Sequence, residues 1–151
     1  METLVTVRAL YENYLRTVAE LREKKGPYRD LFGFGGGIKG DRCHTAFIEE
    51  LCSALHAPDQ IEAGEAEPIT AFVLHAPEAY ERDGLICWTF IAAQQAVSPL
   101  IDLLAPEDAA ALADWYGRYY PRVKRAPIQD RIFAQLKKRA LSDGAKGASR
   151  K

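Results

Sequence analysis

Residues 85–104 read Leu85-Ile86-Cys87-Trp88-Thr89-Phe90-Ile91-Ala92-Ala93-Gln94-Gln95-Ala96-Val97-Ser98-Pro99-Leu100-Ile101-Asp102-Leu103-Leu104. The stretch is long and apolar enough to span a bilayer, and the fold turns on whether it does. Gln94, Gln95, Ser98, Pro99 and Asp102 crowd its second half. A carboxylate and two amides in lipid would cost several kcal/mol, and no basic flanks anchor the segment. It therefore reads as the central, mostly buried helix of a bundle rather than as a membrane span. Pro99 removes the amide that would bond the carbonyl of Gln95, which predicts a kink there, and kinked central helices often border a pocket. Gln94, Gln95 and Asp102 must face water or be satisfied internally. Gln95 and Asp102 share a stripe that could line a cleft or an interface.

Other helices surround it. Leu4, Val7, Tyr11, Tyr14, Val18 and Leu21 are spaced 3, 4, 3, 4, 3, a heptad seam on a first helix that Gly26-Pro27 is expected to end. The seam suits pairing with a partner helix or with helices of the same chain. A second helix is expected from Asp41, as N-cap, to about Ala57, with Phe47, Ile48, Leu51 and Leu55 on its core face.

One pattern then recurs: Leu55-His56-Ala57-Pro58-Asp59, Leu74-His75-Ala76-Pro77-Glu78 and Leu103-Leu104-Ala105-Pro106-Glu107, with Ala126-Pro127 repeating half of it. Proline disfavours helix in the residue before it and suits the first position of a new helix. These are therefore helix corners. They predict a short helix at 68–76, a turn or helical piece at 77–82, and helices at 106–120 and 127–141. Ile69 to Leu74 is the one run that could instead be a strand, and it lacks an obvious partner. The expected fold is a single all-α domain, residues 1–141, of five to six helices. A Gly-rich loop joins the first two, and a flexible basic tail follows at 142–151.

Length and composition agree. The chain has 151 residues, 48% hydrophobic and 27% charged, enough for one core and unlike disordered or disulfide-stapled chains. Three cysteines and an N-terminus without an apolar export region point to a reduced, cytoplasmic protein.

The net charge of −1 conceals a division. Residues 1–56 are neutral, 57–117 carry −10 and 118–151 carry +9. The two charged segments either screen one another or the basic end meets a polyanion. Arg118, Arg122, Lys124, Arg125, Lys137, Lys138 and Arg139 are the candidates for nucleic-acid contact, and Tyr119 and Tyr120 interleave with the first of them. Leu112, Trp115, Tyr116 and Tyr119 fall at helical spacing, which favours core packing for those rings.

Two further groups of residues invite chemistry. Gly35, Gly36, Gly37, Lys39 and Gly40 form a formal G-x-G-x-x-G without the strand that the dinucleotide fingerprint needs. Backbone amides and Lys39 ahead of a helix could still hold a phosphate or carboxylate. On the second helix Cys52 and His56 share a face, with Glu49 three residues before Cys52. That spacing suits a soft metal, but it leaves the tetrahedral set incomplete unless His75 or Cys87 contributes. His44 lies about 12 Å from Cys52 along the axis and cannot share that ion. Cys52–His56 and Cys43–His44 are the pairs to weigh for nucleophilic catalysis, and nothing marks an oxyanion hole beside either. Glu49-Glu50 and Glu107-Asp108 read as solvated surface carboxylates.

No catalytic set and no cofactor is implied. The expected function is an interaction or regulatory module that binds another protein or a second copy. Nucleic-acid binding through 118–139 is the alternative, and a metal or small-ligand site near His44, Cys52 and His56 comes third.

Overall fold

A computed structural model describes residues 2–31, 41–62 and 64–150, with side chains at 2–24, 41–62 and 64–142. Helix dominates the described residues, and no strand occurs among them. Six helices of ten residues or more form the bundle: α1 (Glu2–Leu31), α2 (Cys43–Leu55), α3 (Ala66–His75), α4 (Gly84–Ala93), α6 (Pro106–Tyr119) and α7 (Pro127–Arg150), with a short α5 (Ser98–Ile101) between α4 and α6. Ile69 to Leu74 is helical, within α3.

The prolines fall at corners. Pro58 and Pro77 sit in the first turns of short 3-10 segments, Pro106 opens α6 and Pro127 opens α7. Two boundaries differ from the sequence expectation. α1 runs through Gly26-Pro27 to Leu31, and α7 continues past Leu141 to Arg150. Pro27 withholds one amide from the carbonyl of Glu23, but an established helix adds a turn far more cheaply than it nucleates one. Asp41 does cap α2, one residue earlier than the Ncap position: its Oδ1 accepts the backbone N–H of Cys43 at 2.8 Å.

The central segment lies in the bundle with half of its residues buried, and it is not one kinked helix. α4 gives way to a 3-10 stretch, Gln94–Val97, before α5. The cause is Pro99. The Gln95 carbonyl, denied an amide four residues on, takes the N–H of Ser98 three residues on, and the helix tightens. This stretch packs against α2, α3, α5 and α7, and Gln94, Ala96 and Val97 are buried there. By length and composition Gly84–Ile101, with a mean hydropathy of 1.4, could cross a membrane, and half of that window is buried inside the bundle.

The α1 seam is filled by the chain itself. Leu4, Val7, Tyr11, Tyr14 and Val18 are buried, chiefly against α2 and α3. Each buried aliphatic side chain there contributes about 1.5–3 kcal/mol. Tyr11 meets Phe47, Phe72 and Phe90 with ring centroids 4.8–4.9 Å apart. Arg22 farther along α1 grips Asp83 with two hydrogen bonds of 2.7 and 3.0 Å. Asp83 in turn caps α4 through the N–H of Ile86. α6 and α7 form the most extensive helix pair. The two come close enough at Gly117 that a Cβ there would lie 2.8 Å from Cζ of Phe133.

Candidate functional site

Arg8, Tyr11, Glu12 and Leu15 follow one another at i, i+3, i+4 and i+7, a single stripe of α1. Opposite them stand Phe72 and His75 of α3 and the 3-10 turn Ala76–Tyr80. Between these walls is a cleft of about 400 Å³, floored by Phe90 of α4. The turn exists because Pro77 cannot extend α3. The chain bends there and leaves the cleft between the bend and α1.

The floor is aromatic. Phe90 meets Tyr11 with ring centroids 4.8 Å apart and Tyr80 edge-on at 5.4 Å and 88°. Tyr11 is buried, and its hydroxyl has no hydrogen-bond partner among the described residues. Burial pushes its pKa well above the ordinary tyrosine range, so it stays protonated.

The rim is polar. The Arg8 guanidinium lies 5.5 Å from the Phe72 ring centroid, and Glu12 stands one turn farther along α1. His75 is held from two sides. Its Nδ1 is 2.6 Å from Oε1 of Glu78, and its ring lies 3.7 Å from that of Trp115. Trp115 stacks in turn on Tyr119, whose hydroxyl donates to Glu81. Among the described residues that line this cleft there is no Ser, Thr, Cys or Lys. An apolar floor with a few polar groups at the mouth is the ordinary make-up of a binding pocket.

The metal reading fares differently. Among the described residues no three of His, Cys, Asp and Glu gather at one point. Nδ1 of His56 is 2.6 Å from the Ser53 carbonyl on its own helix. Cys52 packs half-buried on the core, and burial pushes its thiol up. Glu49, Cys52 and His56 therefore do not form a three-ligand cluster. Cys87 is likewise raised, by burial first and then by Glu81 and Asp83, which leaves it a poor thiolate.

His44 turns inward, where spacing alone did not place it. The Thr89 hydroxyl donates to the Leu85 carbonyl at 2.9 Å, so its oxygen receives the Tyr14 proton at 3.0 Å. The Tyr14 oxygen therefore accepts from Nδ1–H of His44 at 2.8 Å. This fixes the His44 tautomer and ties α1, α2 and α4 together. Desolvation pushes Tyr14 up to about 12 despite the bond to Thr89. The detectable signal was a histidine on the same stripe as Phe47, Leu51 and Leu55, facing a seam that holds tyrosines.

The basic segment divides in two. Arg118 pairs with Asp114 four residues back. Arg125, only 11% exposed, binds Asp130 and the Tyr120 carbonyl and lies 4.6 Å from the Phe133 ring centroid. Lys137 sits 4.4 Å from the same centroid, and Arg139 donates to the Leu104 carbonyl at 2.7 Å. Arg122, Lys124 and Lys138 are exposed, without an ion pair among the described residues. Tyr116 and Tyr120 are buried, so those rings belong to the core.

Gln94 is satisfied internally, while Gln95 and Asp102 face solvent. Gln95 borders a groove of about 460 Å³ beside the Pro99 break, together with Ser98, Arg131 and Gln135; Asp102 does not take part. Gly35, Gly36, Gly37, Lys39 and Gly40 lie outside the described residues.

Comparison with protein-family models, with curated proteins and with solved structures finds no match for this chain.

Proposed function

We propose that the chain is a helical binding module of interaction or regulatory type, without chemistry of its own, whose ligand enters the cleft between α1 and α3. One observation carries this: a cleft of about 400 Å³ combines an aromatic floor with Arg8, Glu12 and His75 at its mouth. Its size falls within the usual range for small-molecule sites. No disulfide joins Cys43, Cys52 and Cys87, which is in keeping with work in a reducing, cytoplasmic setting.

The test uses Trp115, which contacts the rim through His75. In a Trp88→Phe background it is the sole tryptophan. Ligand-observed NMR of a set of aromatic fragments should give binders that also shift Trp115 emission. Ala79→Phe, which narrows the cleft, should abolish both signals. Fragments that bind equally well to Ala79→Phe, or none that bind at all, would count against the reading.

A second reading, contact with nucleic acid through 118–139, is favoured by the turn between α6 and α7. There Arg122 and Lys124 stand exposed on either side of Val123, itself 92% exposed. Retention on a single-stranded oligonucleotide column at low salt, lost when Arg122, Lys124 and Lys138 become Ala, would support it. Passage through the column at low salt would dismiss it.

A further inference from the structure

We infer that the cleft is shaped for a free α-amino acid with an aromatic side group. The inference rests on the cleft being the binding site and names what it selects. The starting point is a pair of charges that do not use each other. Arg8 and Glu12 are four residues apart on α1, close enough to pair, yet no ion pair joins them, and neither pairs with any other described residue. The order explains part of this, because a basic residue preceding an acidic one by four is the less favourable arrangement on a helix. Phe72 explains more. The guanidinium is drawn toward that ring, across the mouth of the cleft, rather than along α1 toward Glu12.

A positive and a negative group thus stand open, one helical turn apart, above an aromatic floor. A simple carboxylic acid would meet Arg8 and be repelled by Glu12. A simple amine would meet Glu12 and be repelled by Arg8. A zwitterion satisfies both at once: its carboxylate takes the planar N–H donors of Arg8, and its ammonium takes the Glu12 carboxylate. The remaining wall is neutral and flat. Leu15, Phe72 and Tyr80, over the buried Phe90, offer aliphatic and aromatic surface to a ring packed between them. His75 has its Nδ1 turned to Glu78.

Isothermal titration with phenylalanine, 3-phenylpropanoate and 2-phenylethylamine tests this directly. Phenylalanine should bind roughly 10-fold or more tightly than either half-molecule, the effect of one added charge-assisted contact. Arg8→Gln should remove its advantage over phenylethylamine, and Glu12→Gln its advantage over phenylpropanoate. Both side chains are exposed, so thermal melts of the two variants should match the parent and separate binding from folding. Equal affinities for all three compounds, with both variants silent, would overturn the inference and leave the cleft a binding site. The same holds if none of the three binds while other fragments still respond to Ala79→Phe. If no compound of any kind responds to Ala79→Phe, the cleft reading falls as well.

Discussion

The Tyr116 hydroxyl donates to Oε1 of Gln94 at 2.6 Å, in the middle of the protein, and the Gln94 amide passes the connection on to the Leu74 carbonyl at 3.3 Å. Gln94 has no exposed surface, and neither has Tyr116. One amide thus joins α6, the 3-10 stretch and the end of α3. Its partners are fixed because a buried polar group left unmade costs more than a made one contributes.

Tyr116→Phe should therefore destabilise by about 1–3 kcal/mol, since it leaves the Gln94 oxygen without its donor. Combining it with Gln94→Leu should cost less than the sum of the single changes, because the apolar pair leaves no orphan between them. Urea denaturation of the three variants measures this. Additive losses would mean that the two groups are not coupled.

Gly117→Ala offers a test with an inverted sign. On an ordinary helix the change stabilises by about 1 kcal/mol. Here the new Cβ would stand 2.8 Å from Cζ and 3.0 Å from Cε1 of Phe133. Arg125 and Lys137 both sit against that ring, which limits its escape. A loss of about 1–3 kcal/mol is expected, read as a lowered Tm. A raised Tm would show that α6 and α7 can part at little cost.

Asp83 supplies the pH dependence. Two hydrogen bonds from Arg22, and then the amide of Ile86, hold its carboxyl below the ordinary aspartate range. A depressed folded pKa gives stability that is present above the unfolded value of about 3.9 and is lost as pH falls through the folded value. The pair is partly open to solvent, so Asp83→Asn should cost only about 1 kcal/mol at neutral pH. The parent and the variant should converge in urea midpoint as pH drops below about 4. A gap that does not narrow as pH falls below about 4 would refute the assignment.

Tyr11→Phe should stabilise. The change removes a buried hydroxyl without a partner and keeps the ring contacts to Phe47, Phe72 and Phe90. A gain of about 1 kcal/mol in chemical denaturation is expected from relieving the unpaired group. A loss would reveal a hydrogen bond made by that hydroxyl in solution.

The helical architecture was legible because its signals are local. The 3, 4, 3, 4, 3 spacing of the first helix and the Ala-Pro corners operate within a turn or two of chain. The same spacing marked the α1 seam but could not say what would fill it, since Phe47, Phe72 and Phe90 come from three other helices. The candidate site was hidden for a related reason. Arg8 and Glu12 look like any solvated helix face until Pro77 bends the chain beside them. The cations of α7 and of the turn before it show the opposite error. As letters they form one basic run, yet Arg125 is engaged with Asp130 and the Tyr120 carbonyl, and Arg139 with the carbonyl of Leu104, which sequence does not place near it.

The 3-10 stretch Gln94–Val97 has a consequence for how the protein is made. It packs between α2, α3, α5 and α7, yet well over half of the chain is synthesised before it appears. At about 5–20 residues per second, α2 waits on the order of 2–8 s and α3 about 1–4 s for the segment that closes their shared interior. During that interval the parts of α2 and α3 that the stretch will pack against stay open. A nascent chain stalled at Ala93 should therefore be held by chaperones or lost to aggregation, whereas one released after α7 closes on itself.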